Sequence, residues 1–115
     1  MKIVWTDFTI INLKDIFGYY STKANKKVAH KIRKQILKSS KQLINHPLSG
    51  PTEPNLLSQN KNHRYLISGN YKLIYRVDGN EIIINDVFDT RQNPMKMILR
   101  KIGYTCKFFY TQIVI

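Results

Sequence analysis

The stretch His63-Arg-Tyr-Leu-Ile-Ser-Gly-Asn-Tyr-Lys-Leu-Ile-Tyr-Arg-Val-Asp-Gly-Asn-Glu-Ile-Ile-Ile-Asn-Asp-Val-Phe-Asp-Thr-Arg-Gln-Asn-Pro94 decides the fold. Two glycine-containing turns, Gly69-Asn70 and Asp78-Gly79-Asn80, divide it into three runs of strand formers. These runs are Tyr65-Leu66-Ile67, Tyr71 to Val77, and Ile82 to Phe88. The pattern predicts an antiparallel meander. With Gly69-Asn70 as a two-residue loop, Leu66 opposes Leu73 and Arg64 opposes Tyr75. Strict alternation then places Arg64, Leu66, Tyr71, Leu73, Tyr75, Val77, Ile82, Ile84 and Phe88 on one face, mostly apolar apart from Arg64 and Asp86. The other face receives His63, Tyr65, Ile67, Lys72, Ile74, Arg76, Ile83, Asn85, Val87 and Asp89, with Arg91 just beyond. Imidazole, phenol, ammonium and guanidinium groups meet there.

Upstream, Lys2 to Trp5 reads as a short strand, and Thr6 or Asp7 caps a helix. Ile10, Leu13, Phe17 and Tyr20 recur at helical spacing, widened by Ile16. Ser21-Thr22 is expected to end this helix and cap a longer one reaching about Ile44. Its buried stripe is Val28, Ile32, Ile36 and Leu43, flanked by Ala29 and Leu37. Its outer face carries Lys23, Lys26, Lys27, Lys31, Arg33, Lys34, Lys38 and Lys41. Two helices joined this tightly form an antiparallel hairpin, able to cover the apolar sheet face. Asn45 to Asn62, punctuated by Pro47, Gly50, Pro51 and Pro54, reads as loop. The expected fold is therefore α+β: a small antiparallel sheet with two antiparallel helices on one face, in the order β-α-α-β-β-β. Residues 1–94 make the domain. Residues 95–115 make a basic, apolar tail of uncertain structure, with a strand-like run from Phe108 to Ile115.

The 115 residues suit one domain with one modest core. The formal charge is +12, from 19 Lys and Arg against 7 Asp and Glu, and no acid lies between Ile16 and Thr52. Such an imbalance favours an anionic partner, namely nucleic acid, a ribosome or an acidic protein, over a merely solvated surface. One cysteine, Cys106, excludes an internal disulfide and suits a reducing cytoplasm. The first residues lack the apolar run of a signal peptide, and no stretch reaches the ~20 apolar residues that span a bilayer. His30, His46 and Cys106 have no spacing that suggests a metal site, and no cofactor motif is present.

Ile3-Val-Trp-Thr6 leading to Leu13 and Ile16, Pro47-Leu-Ser-Gly50, Gly69 to Val77, and Val87-Phe-Asp-Thr-Arg-Gln-Asn-Pro94 together resemble the RelE/ParE superfamily of toxins from type II toxin–antitoxin systems. The resemblance spans about residues 3–94. It implies a sheet backed by two helices, and a partner antitoxin. Members of the superfamily cut messenger RNA in the ribosomal A site or inhibit DNA gyrase. For the RNA-cleaving branch it implies catalytic roles for His63, Tyr65, Lys72 and Arg91. Lys72 stands where arginine is usual, and Tyr65 where lysine is usual. Tyr104 or Tyr110 would supply a terminal tyrosine.

Metal-free RNA cleavage needs an activated 2′-hydroxyl, a stabilised phosphorane and a protonated leaving group. His63 titrates in the right range to serve as acid or base, and its plain alternative is a solvated histidine at a strand start. Lys72 and Arg91 can hold phosphate charge, or can pair with Asp89. Tyr65 can stack on a base or pack across strands. Arg76 and the helix lysines Lys27, Lys31, Lys34 and Lys38 can bind RNA or ribosome. The favoured expectation is ribosome-dependent messenger cleavage. Gyrase inhibition and general RNA binding are the alternatives. Either toxin reading implies a cytoplasmic protein with an acidic antitoxin.

Overall fold

A computed structural model describes residues 1–59, 61–97 and 110–112. Its elements are β1 (Lys2–Thr6), α1 (Asp7–Lys23), α2 (Lys26–Asn45), a 3-10 helix (Pro54–Gln59), β2 (Arg64–Ser68), β3 (Tyr71–Asp78), β4 (Glu81–Asp89) and β5 (Tyr110–Gln112). The sheet order is β2-β3-β4-β1-β5. The two helices form a hairpin, α1 over β4 and β1, α2 over β1 and β2. The fold is α+β, as the residue pattern implies. The remaining tail, including Tyr104 and Cys106, lies outside the described residues.

The meander forms as its turns dictate. Arg64 pairs with Tyr75 and Leu66 with Leu73. Gly69 and Gly79 take φ of +60° and +58°, the left-handed region that glycine occupies without penalty. Between Ile74/Tyr75 and the facing strand the register slips, with Ile74 opposite Asp86 and Tyr75 opposite Ile84. Asn85 is thus the extra residue of a bulge; Asp86 stays on the helix side, accepting from Asn12 of α1 at 2.9 Å, and the side chains from Val87 onward change face. Val87, paired with Leu73, joins the core beneath the helices, and Asp89 is paired with Tyr71 on that side. Phe88, paired with Lys72, goes to the far side. The alternation expected from the sequence is corrected at these residues, and Arg91 moves with them.

β1 does enter the meander's sheet, but parallel to β4, with Lys2 to Trp5 facing Glu81 to Ile84. No hairpin joins these two strands, so nothing obliges them to run antiparallel. Adjacent parallel strands covered on both sides read as unbroken apolar runs. Ile3-Val4-Trp5 and Ile82-Ile83-Ile84 are all buried.

Helix boundaries follow side-chain caps. Thr6 accepts from the Thr9 amide at 3.2 Å, and the Thr9 hydroxyl donates to the Ile84 carbonyl at 3.0 Å, fixing α1 to β4. The break between helices falls later than Ser21-Thr22, at Ala24-Asn25. There the Asn25 side chain accepts from the Val28 amide at 2.9 Å. Asparagine caps a helix as well as serine does, and the two hydroxyl residues stay inside α1. The main core joins Ile36 and Leu43 of α2 and Leu13 of α1 to Trp5, Leu73, Tyr75, Ile82 and Ile84.

A second core lies on the other side of the sheet. Leu56, from the 3-10 helix in the expected loop, packs there with Ile74, Phe88, Met97 and the half-buried Tyr65. No helix among the described residues is long and apolar enough to cross a membrane.

Candidate functional site

The far face of the sheet carries His63, Tyr65 and Lys72, and the segment after Gly50 folds across it. The Tyr65 amide donates to the Pro51 carbonyl at 3.1 Å, and the Glu53 amide donates to the His63 carbonyl at 2.8 Å. This lacing draws the Glu53 side chain inside, where none of its surface is exposed. Lys72 Nζ lies 3.0 Å from Glu53 Oε2 and 4.4 Å from the Tyr65 ring centroid. The other carboxylate oxygen accepts from both the amide and the side chain of Asn55, at 3.1 and 2.9 Å. Three donors therefore saturate a buried anion, and the ammonium is committed to it. His63 is 3% exposed. A polynucleotide laid on this face meets a neutralised lysine and an enclosed imidazole.

Arg91 is elsewhere. The bulge carries it to the helix side, where it forms a bidentate pair with Asp89 at 2.8 and 3.0 Å. That hydrogen bonding holds the Asp89 carboxyl below its ordinary range and pushes the guanidinium further up. The pair borders a cleft of about 560 Å³ with Asn12, Asp15, Tyr19 and Tyr71. Burial, followed by the Tyr20 hydroxyl 3.4 Å away, raises the Tyr71 phenol. The sheet thus separates Arg91 from Lys72, and the four expected catalytic groups do not converge.

The other basic candidates are more open. Arg76 forms a surface pair with Asp78 at 3.2 Å, the kind of contact worth little. Lys27, Lys31, Lys34 and Lys38 are all exposed on α2. Arg64 donates to the carbonyls of Leu48 and Gly50, at 3.3 and 2.8 Å, and so has a structural place at the sheet rim. Between the helices Ile10, Leu13, Phe17 and Leu37 line an apolar groove rimmed by Lys14 and Arg33. Arg33 stands 5.0 Å over the Phe17 ring.

Glu53 escaped the sequence reading as a site residue, although a signal exists. It is the lone acid from Ile16 through Val77. A single carboxylate in so basic a stretch is well suited to serve as an internal counter-ion.

The match to known proteins agrees with this architecture. The family model described as "ParE toxin of type II toxin-antitoxin system, parDE" matches residues 3–94. The chain belongs to the ParE toxin family. Its fold is also similar to a solved structure titled "Chromosomal ParDE TA system from P. aeruginosa", with a TM-score of 0.66 and 24% identity. That likeness covers 77% of this chain and 95% of the other. No curated protein matches by sequence. Three surfaces of this ParE toxin remain open among the described residues: the groove between the helices, the Arg91 cleft and the lysine face of α2.

Proposed function

We propose that this ParE toxin acts by binding DNA gyrase rather than by cutting messenger RNA. The observation that carries the reading is the Glu53–Lys72 pair at 3.0 Å. It occupies the cation nearest the centre of the far face, where metal-free cleavage would need a free positive charge beside the scissile phosphate. The burial of His63 and the placement of Arg91 across the sheet add to it. A binding toxin needs none of these groups to converge. The messenger-cleaving alternative, attractive while alternation gathered all four groups on one face, loses that support.

The partner that restrains the toxin is an acidic antitoxin. A groove with an apolar floor and a rim of Lys14 and Arg33 suits an amphipathic segment with acidic flanks. Two parallel assays test the reading. Purified toxin added to gyrase should block supercoiling, while the same toxin added to a reconstituted translation reaction should leave the messenger intact. Cleavage within A-site codons, weakened by Lys72→Ala or Arg91→Ala, would reverse the assignment. Co-expression of the adjacent small reading frame should restore growth.

A further inference from the structure

The basic residues of α2 are not spread around the helix. At about 100° per residue, Lys27, Lys31, Lys34, Lys38 and Lys41 fall within an arc of roughly 80°. That arc is centred opposite the buried Ile36. All five are exposed. At ~1.5 Å rise per residue the row runs about 21 Å, in a straight line along a rigid element. None of the five has an ion-pair partner among the described residues. Four of the seven acids are committed elsewhere. Glu53 and Asp86 are fully buried, and Asp78 and Asp89 are paired with Arg76 and Arg91.

We propose that this row docks the phosphodiester backbone of double-stranded DNA. A duplex presents one phosphate per ~1.7 Å of its axis, so a row of this length faces a continuous anionic ridge. Recognition of single strands relies on aromatic platforms for unstacked bases. From Lys26 to Asn45 the helix contains no Phe, Tyr or Trp. A protein partner would need a buried apolar anchor, and the arc offers only Lys and Asn45, flanked by Gln42 and by His30, whose ring packs edge-on against Phe17. A rigid row of point charges without stacking or apolar groups fits a rigid backbone of opposite sign. The choice of DNA over an RNA duplex rests on the gyrase reading, since gyrase holds double-stranded DNA.

Fluorescence anisotropy with a labelled 20-base-pair DNA duplex tests this without gyrase, so its failure and that of the supercoiling assay are separable. Two variants of equal charge are compared, each checked for fold by circular dichroism. One carries Lys31→Gln, Lys34→Gln and Lys38→Gln. The other carries Lys2→Gln, Lys61→Gln and Lys96→Gln, away from the row. The row variant should bind at least tenfold more weakly and lose about 2.7 from the slope of log affinity against log salt. The control variant should stay within about threefold of the parent, because its lysines make no row. Equal weakening of both variants would reduce the effect to net charge and overturn the proposal. Equal or tighter binding of an RNA duplex, a single strand or a polyglutamate peptide would overturn it too.

Discussion

The Gly50 amide donates to the Tyr75 hydroxyl at 2.9 Å, tying the end of the loop after α2 to the middle of the central hairpin. The two approach so closely that a Cβ on Gly50 would stand 2.3 Å from the Tyr65 carbonyl oxygen and 2.7 Å from the Tyr75 hydroxyl. Backbone on one side cannot yield as a flexible side chain would. Gly50→Ala should therefore destabilise the protein by about 3 kcal/mol, at the upper end for overpacking. Tyr75→Phe leaves the amide unsatisfied and should cost about 1–2 kcal/mol. Urea denaturation of both variants measures the order.

Tyr75 also predicts a response to alkali. Burial, the largest influence, pushes its phenol above the ordinary value of 10.0 despite the Gly50 amide and Arg64, which act the other way. Tyr71 is raised likewise, by burial and by Tyr20. A raised folded value means that the native state holds its proton more tightly than the unfolded chain. That contribution is complete below pH 10 and is lost as pH climbs through the folded values. The urea midpoint should hold up to about pH 10 and fall above it, and Tyr75→Phe should flatten the fall.

The Lys72–Glu53 pair should be asymmetric to mutation. Lys72→Met strands a wholly buried carboxylate and should cost about 3 kcal/mol. Glu53→Gln leaves an ammonium that is 21% exposed and can turn to water. It keeps the acceptor for Asn55 and should cost only about 1 kcal/mol. Comparable losses from the two variants would show that the pair is not buried in solution.

Much of this was legible in the chain. Gly69-Asn70 fixes the β2–β3 register because a two-residue loop leaves one way to pair, and the Asp-Gly-Asn turn does the same for the start of β4. The helix stripe around Ile36 and Leu43 was equally plain. What could not be read was the bulge. Ile82-Ile83-Ile84 precedes Asn85-Asp86 and Val87-Phe88 follows, so both faces look apolar on either side and parity carries no information. Arg91 inherited that ambiguity, and the supposed catalytic set scattered with it. The direction of β1 was hidden too, since only a tertiary contact decides it. The partner of Lys72 lay across a loop, at a separation no periodicity reports.

The bulge itself is open to test. Deleting Asn85 makes the pairing of β3 and β4 continuous, with Val87 still opposite Leu73 and Phe88 opposite Lys72, and turns Asp86 to the side of Ile74, away from Asn12. Amide dispersion in an NMR spectrum should be kept, while urea denaturation should show a loss of about 1–3 kcal/mol as the buried Asp86 carboxylate leaves Asn12. Asn85→Gly keeps the residue count and should leave a folded, weakened protein.

The parallel pairing of β1 with β4 has a consequence in time. Lys2 leaves the ribosome before its partner Glu81, which is 79 positions behind it. At about 5–20 residues per second that interval lasts roughly 4–16 s. Throughout it Ile3-Val4-Trp5, wholly buried in the finished sheet, has no sheet to enter. The nascent toxin therefore carries an apolar strand with no sheet to cover it until β4 is made.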